Sequence, residues 1–245
     1  MSGAVAAPPR DAGARHFAWR YSHAAARDGT AALLTIEHEV MSSVRAGLDH
    51  TVAHARLAWW QQECERLAAA QPAHPATRAV RDAFLAARLA PPDLAALPVV
   101  AASVLAHAAQ AQPLEPDEVA ANAARWAGAL FLPLARLALA TATQPHDGGD
   151  ADGHRRAPAA GSPSLEPVGT LGAALHRHEA SPDAASRRAL RDALHALPAP
   201  LAGALCGLVV WCTLALSAPE EQARISITED WRAWRAARRA LRARP

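Results

Sequence analysis

The sequence predicts an all-α protein, on three observations. Hydrophobic residues make up 51% of the 245 positions, and alanine, the best helix former, supplies most of them. The residues that favour strands are scarce, with one Tyr, three Phe and few Val or Ile. Where larger apolar residues cluster, as at Leu33, Leu34, Ile36, Val40 and Val44, they recur at helical spacing.

The elements follow in order. Residues 1–14 are rich in Ala, Pro and Gly and are expected to be disordered. A helical pattern begins near Ala14 and runs to Gly47, with a break expected around Asp28–Gly29. Asp49 reads as the N-cap of a helix to about Ala70, and Gln71–Pro75 as a turn. Further helices are expected at about 76–88, 92–110 and 115–140, with a kink at Pro133 unless the last one ends there. The stretch 144–169 holds Pro, Gly, Asp, His and Ser with little apolar content, and reads as a flexible linker. It separates a first helical part, 15–143, from a second, 170–245, with helices at about 168–180, 183–197, 199–217 and 229–243. No fixed period repeats, so a solenoid is not supported.

Composition excludes several chemistries. All 25 basic residues are arginine, so Schiff-base and Walker lysines are absent. No Gly-x-Ser-x-Gly elbow occurs. Three cysteines without a CxxC pair fit reduced thiols in the cytoplasm, and no secretory signal is read. Cys206 and Cys212 lie in an apolar run and read as buried, inert thiols. Histidine pairs at His50/His54 and His176/His178 lack the further ligands of a zinc site, so polar helix faces are expected there.

The run Leu201–Ser217 is seventeen residues without formal charge, the lower edge for a membrane span, and is read as a core helix. Asp230–Arg244 sets Trp231, Trp234 and Leu241 among six arginines. Such a helix could lie on an anionic membrane surface, or dock by its tryptophans as a solvated terminal helix. Nucleic acid is not expected, because the rest of the chain has no basic patch with stacking aromatics.

The segment Asp49–Ala70, with its Leu-x-Trp-Trp core and Glu-x-x-x-Leu exit, runs into the His-Pro turn of QPAHPATRAV at 71–80. This block resembles the bacterial branch of the squalene/phytoene synthase family. Glu118–Leu139 resembles that family's Arg-x-Ala-Gly helix, and the C-terminal Trp-x-x-Trp-Arg run is similar to the ends of some members. The resemblance covers about half the chain and is most specific at 49–80. It implies an isoprenoid-synthase-like orthogonal bundle, with prenyl diphosphates or other isoprenoid lipids as partners. It also implies Mg²⁺ held by two acidic motifs wherever such a protein is active.

Those motifs fall at Glu37 and Glu39 and at Glu179 and Asp183, the expected metal ligands. Arg177 lies where the family places an arginine, and Trp59 and Trp60 are candidates for the prenyl pocket. The aspartate-rich pattern itself is missing. Glu37 and Glu39 stand two apart and diverge on a helix, and Pro182 separates Glu179 from Asp183. The first expectation is therefore a squalene/phytoene synthase-like protein with degenerate motifs. It would act as a lipid-binding or accessory protein in the cytoplasm, with a peripheral position at the inner membrane left open. An active Mg²⁺-dependent head-to-head prenyl transferase and a non-catalytic helical interaction protein are the alternatives.

Overall fold

Among the described residues every regular element is helical, as the alanine-rich composition predicts. The computed structural model describes residues 13–45, 48–110, 113–142 and 164–217, together with Ala236, Ala237 and Ala240. Expectations for residues 1–12, most of the 144–169 linker and the C-terminal Trp231 and Trp234 lie outside the described residues.

Helix α1 (Ala14–Arg20) buries Phe17 and Ala18. The chain then passes through a 3-10 turn at Ala24–Ala26 into α2 (Arg27–Ser42). The break expected at Asp28–Gly29 thus comes earlier, and Gly29 is a buried residue in the first turn of α2. A Cβ on Gly29 would stand 2.5 Å from Leu137 and 2.7 Å from Ala83. Glycine is needed there for close helix contact and does not end a helix.

Helix α3 (His50–Ala68) starts as expected at Asp49, whose carboxylate accepts from the Thr51 and Val52 amides. It ends in a Schellman turn: the Gln71 amide donates to Arg66 O at 2.8 Å and the Ala70 amide to Leu67 O at 2.9 Å. The turn leads to α4 (Pro75–Ala86), with proline at a first-turn position that needs no N–H. Buried Glu63 holds this corner. Its Oε1 accepts from the Ala73 and His74 amides, both at 2.8 Å, and from the Thr77 hydroxyl. Its Oε2 accepts from Arg66 Nε at 2.8 Å.

After α5 (Ala96–Gln110), α6 (Pro116–Trp126) continues through a π-helical turn, Ala127–Phe131, into α7 (Leu132–Ala142). The expected effect of Pro133 takes the form of this wide turn. It ends two residues before Pro133, which has no N–H, and the helix runs on for 27 residues in all. This segment is long and apolar enough to cross a membrane. However, 56% of its most apolar window is buried inside the protein, the position of a core helix.

Helix α8 (Glu166–Ala180) begins four residues inside the stretch read as linker, so 166–169 are helical. Helix α9 (Ala184–His195) follows, and the single helix expected at 199–217 divides at Leu205 into α10 (Ala199–Ala204) and α11 (Cys206–Ser217). Neither piece could span a bilayer.

The packing brings distant segments together. Helix α2 lies against α4 and also touches α1, α3, α5 and α7, while α6 and α7 pack on α8. Helix α1 packs along α11 so closely that a Cβ on Gly207 would stand 2.3 Å from Ala18 O. One continuous core runs through these helices. Ala236, Ala237 and Ala240 are buried beside Phe17, Cys206, Val210 and Leu214.

Candidate ligand-binding site

Trp211 lies in the uncharged helix α11, and its buried indole N–H needs an acceptor. It donates to Glu179 Oε1 on α8 at 2.8 Å. Trp126, at the end of α6, donates to Glu37 Oε1 on α2 at 3.3 Å. The Glu37 side chain is 5% exposed and that of Glu179 24% exposed, so both carboxylates need a counter-charge.

Arg15 supplies it. No acidic residue accompanies it in the first turn of α1. Its guanidinium crosses the Trp211 ring at 4.7 Å and enters between the two glutamates. Nε and Nη2 donate to Glu37 at 2.8 and 2.7 Å in a bidentate fork. Nη2 and Nη1 also donate to Glu179 at 3.0 and 3.4 Å. Burial alone would lower the Arg15 pKa, but Glu179 and Glu37 outweigh it and hold the pKa above the ordinary arginine value. One guanidinium and two carboxylates leave the cluster one formal negative charge.

His176 stacks on Trp126, with ring centroids 4.9 Å apart and planes 20° from parallel. Burial pushes its pKa down to about 4, opposed by Glu37 and helped by Arg15, so the ring is neutral at pH 7. The unfolded chain therefore binds more protons than the native one between pH 6.5 and about 4. Stability is expected to fall by about 2–3 kcal/mol as pH drops through that window. Chemical denaturation at pH 7 and pH 4.5 checks this, because His176→Gln should flatten the His176 share of the slope.

These groups form one end of a cavity of about 490 Å³. Arg15, Glu37, Glu179, His176, His38 and Asn122 supply its polar lining, and Met41, Val100, Val104, Leu114, Val119 and Trp126 its apolar walls. The Asn122 amide is already engaged, donating to Ser103 Oγ at 2.8 Å and accepting from Arg125 Nη1 at 3.2 Å.

Family models, curated proteins and solved structures give no match to this chain. The functional reading therefore rests on the residues and their geometry.

The four acids expected to act together do not meet. Glu37 and Glu179 face one cavity, but Glu39 is 41% exposed on another face of α2, 3.7 Å from Arg56. Side chains two apart on a helix point to different faces, so this separation follows from the spacing. Asp183 caps α9, accepting from the Ser186 amide at 2.7 Å in a capping box with Ser186. Among the described residues no group of three or more His, Cys, Asp or Glu could hold a metal ion.

The expected substrate-binding residues also lie apart from the cavity. Trp59 is 42% exposed and Trp60 buried, and both line a separate groove with His74 and Glu39. Trp60 and His74 meet edge to face at 5.1 Å, joining α3 to the turn before α4. Arg177 follows His176 on α8 but does not line the cavity. His50 and His54 are within 3.1 Å of each other on an exposed face. His178 points away from His176, toward Ser186 Oγ and Ala215 O. All three cysteines are buried and outside any disulfide, and burial raises the thiol pKa of Cys64 to about 12 and that of Cys212 also.

Arg15, Trp126 and Trp211 were not among the residues singled out from the sequence. Trp211 carried a usable signal, since a tryptophan inside a long uncharged run must find an acceptor elsewhere. Arg15 carried only a faint one, an arginine on a helix whose first turn lacks an acid.

Proposed function

We propose that this chain is a squalene/phytoene synthase-like protein that binds an isoprenoid lipid without metal-dependent turnover. The observation that carries the reading is the place of Arg15. The resemblance expects acidic motifs on the helices that hold Glu37 and Glu179, and those two carboxylates line one cavity, on either side of Arg15. A guanidinium stands between them, where the family's chemistry would require Mg²⁺. The remaining two acids are committed to Arg56 and to a helix cap. A cavity of about 490 Å³ with apolar walls and one polar end suits an amphipathic ligand. The Trp- and Arg-rich segment Asp230–Arg244 supports a role close to an anionic membrane surface.

A saturable one-to-one change in tryptophan fluorescence on titration with a long-chain isoprenoid tests the proposal. Val104→Trp, which fills the apolar wall, should weaken binding at least tenfold while the fold is retained by circular dichroism. Absence of saturable binding by the native protein would remove the reading. A second reading, an active prenyl transferase, draws on the same meeting of Glu37 and Glu179 at one cavity, but it requires Arg15 to leave both carboxylates.

A further inference from the structure

We infer that the cavity selects an uncharged, hydroxyl-headed isoprenoid, an isoprenoid alcohol, over the corresponding diphosphate. The inference rests on the lipid-binding reading above and adds the head-group chemistry.

Charge excludes the diphosphate. The polar end already carries one formal negative charge, and its one guanidinium is divided between two carboxylates. A diphosphate would set several more negative charges beside Glu37 and Glu179. Each like-charge pair costs on the order of 1–4 kcal/mol at 4 Å, depending on the local dielectric. Arg15 holds Glu37 through Nε and Nη2, so only its Nη1 edge, now on Glu179, could turn to a phosphate, and Glu179 would then lose part of its counter-charge beside the new negative charges.

A cationic head group meets the opposite obstacle. An ammonium at this end would lose its hydration, and the two carboxylates that could offset that loss are already held by Arg15.

A hydroxyl fits both constraints. A neutral imidazole offers one donor and one acceptor, and a hydroxyl can meet both. His176 lines the cavity, and the described residues give its ring nitrogens no hydrogen bond. The hydrocarbon tail then runs along Met41, Val100, Val104, Leu114 and Val119.

Competition binding on the full chain at pH 7.5, with farnesol, farnesyl diphosphate and farnesylamine, tests this, each with and without Mg²⁺. Farnesol should bind at least tenfold tighter than the other two, with no response to Mg²⁺. His176→Phe should weaken farnesol about tenfold, the loss of one hydrogen bond of about 1.4 kcal/mol. Binding of the hydrocarbon farnesene should be unchanged by the same variant, which separates head-group contact from a general loss of structure. Equal or tighter binding of the diphosphate or the amine would overturn the head-group selection and leave lipid binding standing. No saturable binding by any of these probes would overturn both.

Discussion

Arg15→Met should lower the melting temperature by about 10 °C. Methionine keeps the apolar stem of Arg15 but removes the cation from between Glu37 and Glu179. Removing one partner of a buried ion pair costs about 3–5 kcal/mol. The low end applies here, because the Arg15 side chain is 29% exposed and that of Glu179 24% exposed, so water screens part of the loss. For a chain of this size about 3 kcal/mol corresponds to a shift of about 6–12 °C. The same variant leaves two facing carboxylates without a counter-charge, so millimolar Mg²⁺ should restore part of the loss. The native protein should show no such response. An unchanged melting temperature in Arg15→Met would mean that the guanidinium does not hold α1 to α2 and α8.

Glu63→Ala should cost about 4 kcal/mol, an effect of similar size in a different part of the fold. The Glu63 side chain is fully buried and accepts from two backbone amides, one hydroxyl and Arg66. Alanine would strand those donors, each at about 1–3 kcal/mol, with partial recovery by water. Hydrogen exchange should locate the damage, with the Ala73 and His74 amides losing protection before the rest of α3 and α4. Glu63→Gln should fall between the two, since an amide oxygen can still accept but its nitrogen faces Arg66. The titration has a definite sign as well. Burial would raise the Glu63 pKa, but the hydrogen bonds from Thr77, His74, Arg66 and Ala73 outweigh it and hold the pKa below the ordinary 4.5. Its contribution is therefore present above that value and is lost as pH falls below it, adding to the acid sensitivity from His176.

The Glu63 corner also shows what kind of information the sequence carried. The 49–80 block was its most specific signal, and the structure gives that block a structural role. The Glu-x-x-x-Leu exit and the His-Pro turn are two sides of one hydrogen-bonded corner, with Trp60 packed on His74. Local signals of this kind are legible because their partners lie close in sequence: Asp49 as a cap, the turn at 71–75. Helix content was legible for the same reason.

The break near residue 28 was misplaced because glycine has two uses, ending a helix and admitting a neighbour, and only packing separates them. At Gly29 the neighbours are Leu137 and Ala83. The centre of the candidate site was half legible. Glu37 and Glu179 could be selected as acids on helices, and their two-residue and proline-separated companions could be doubted. Arg15 reaches residues 22 and 164 positions away, and no spacing rule on one helix anticipates such a contact. The π-helical turn that precedes Pro133 likewise follows from accommodating a proline within a packed helix, which periodicity alone does not encode.

Incubation of the purified chain with farnesyl and geranylgeranyl diphosphate, Mg²⁺ and NADPH, followed by product and diphosphate analysis, is the most direct test of whether Arg15 takes the place of a metal. The expected result is neither a coupled hydrocarbon nor released diphosphate, from a folded protein that still binds farnesol. A coupled product formed in the presence of Mg²⁺ would contradict it.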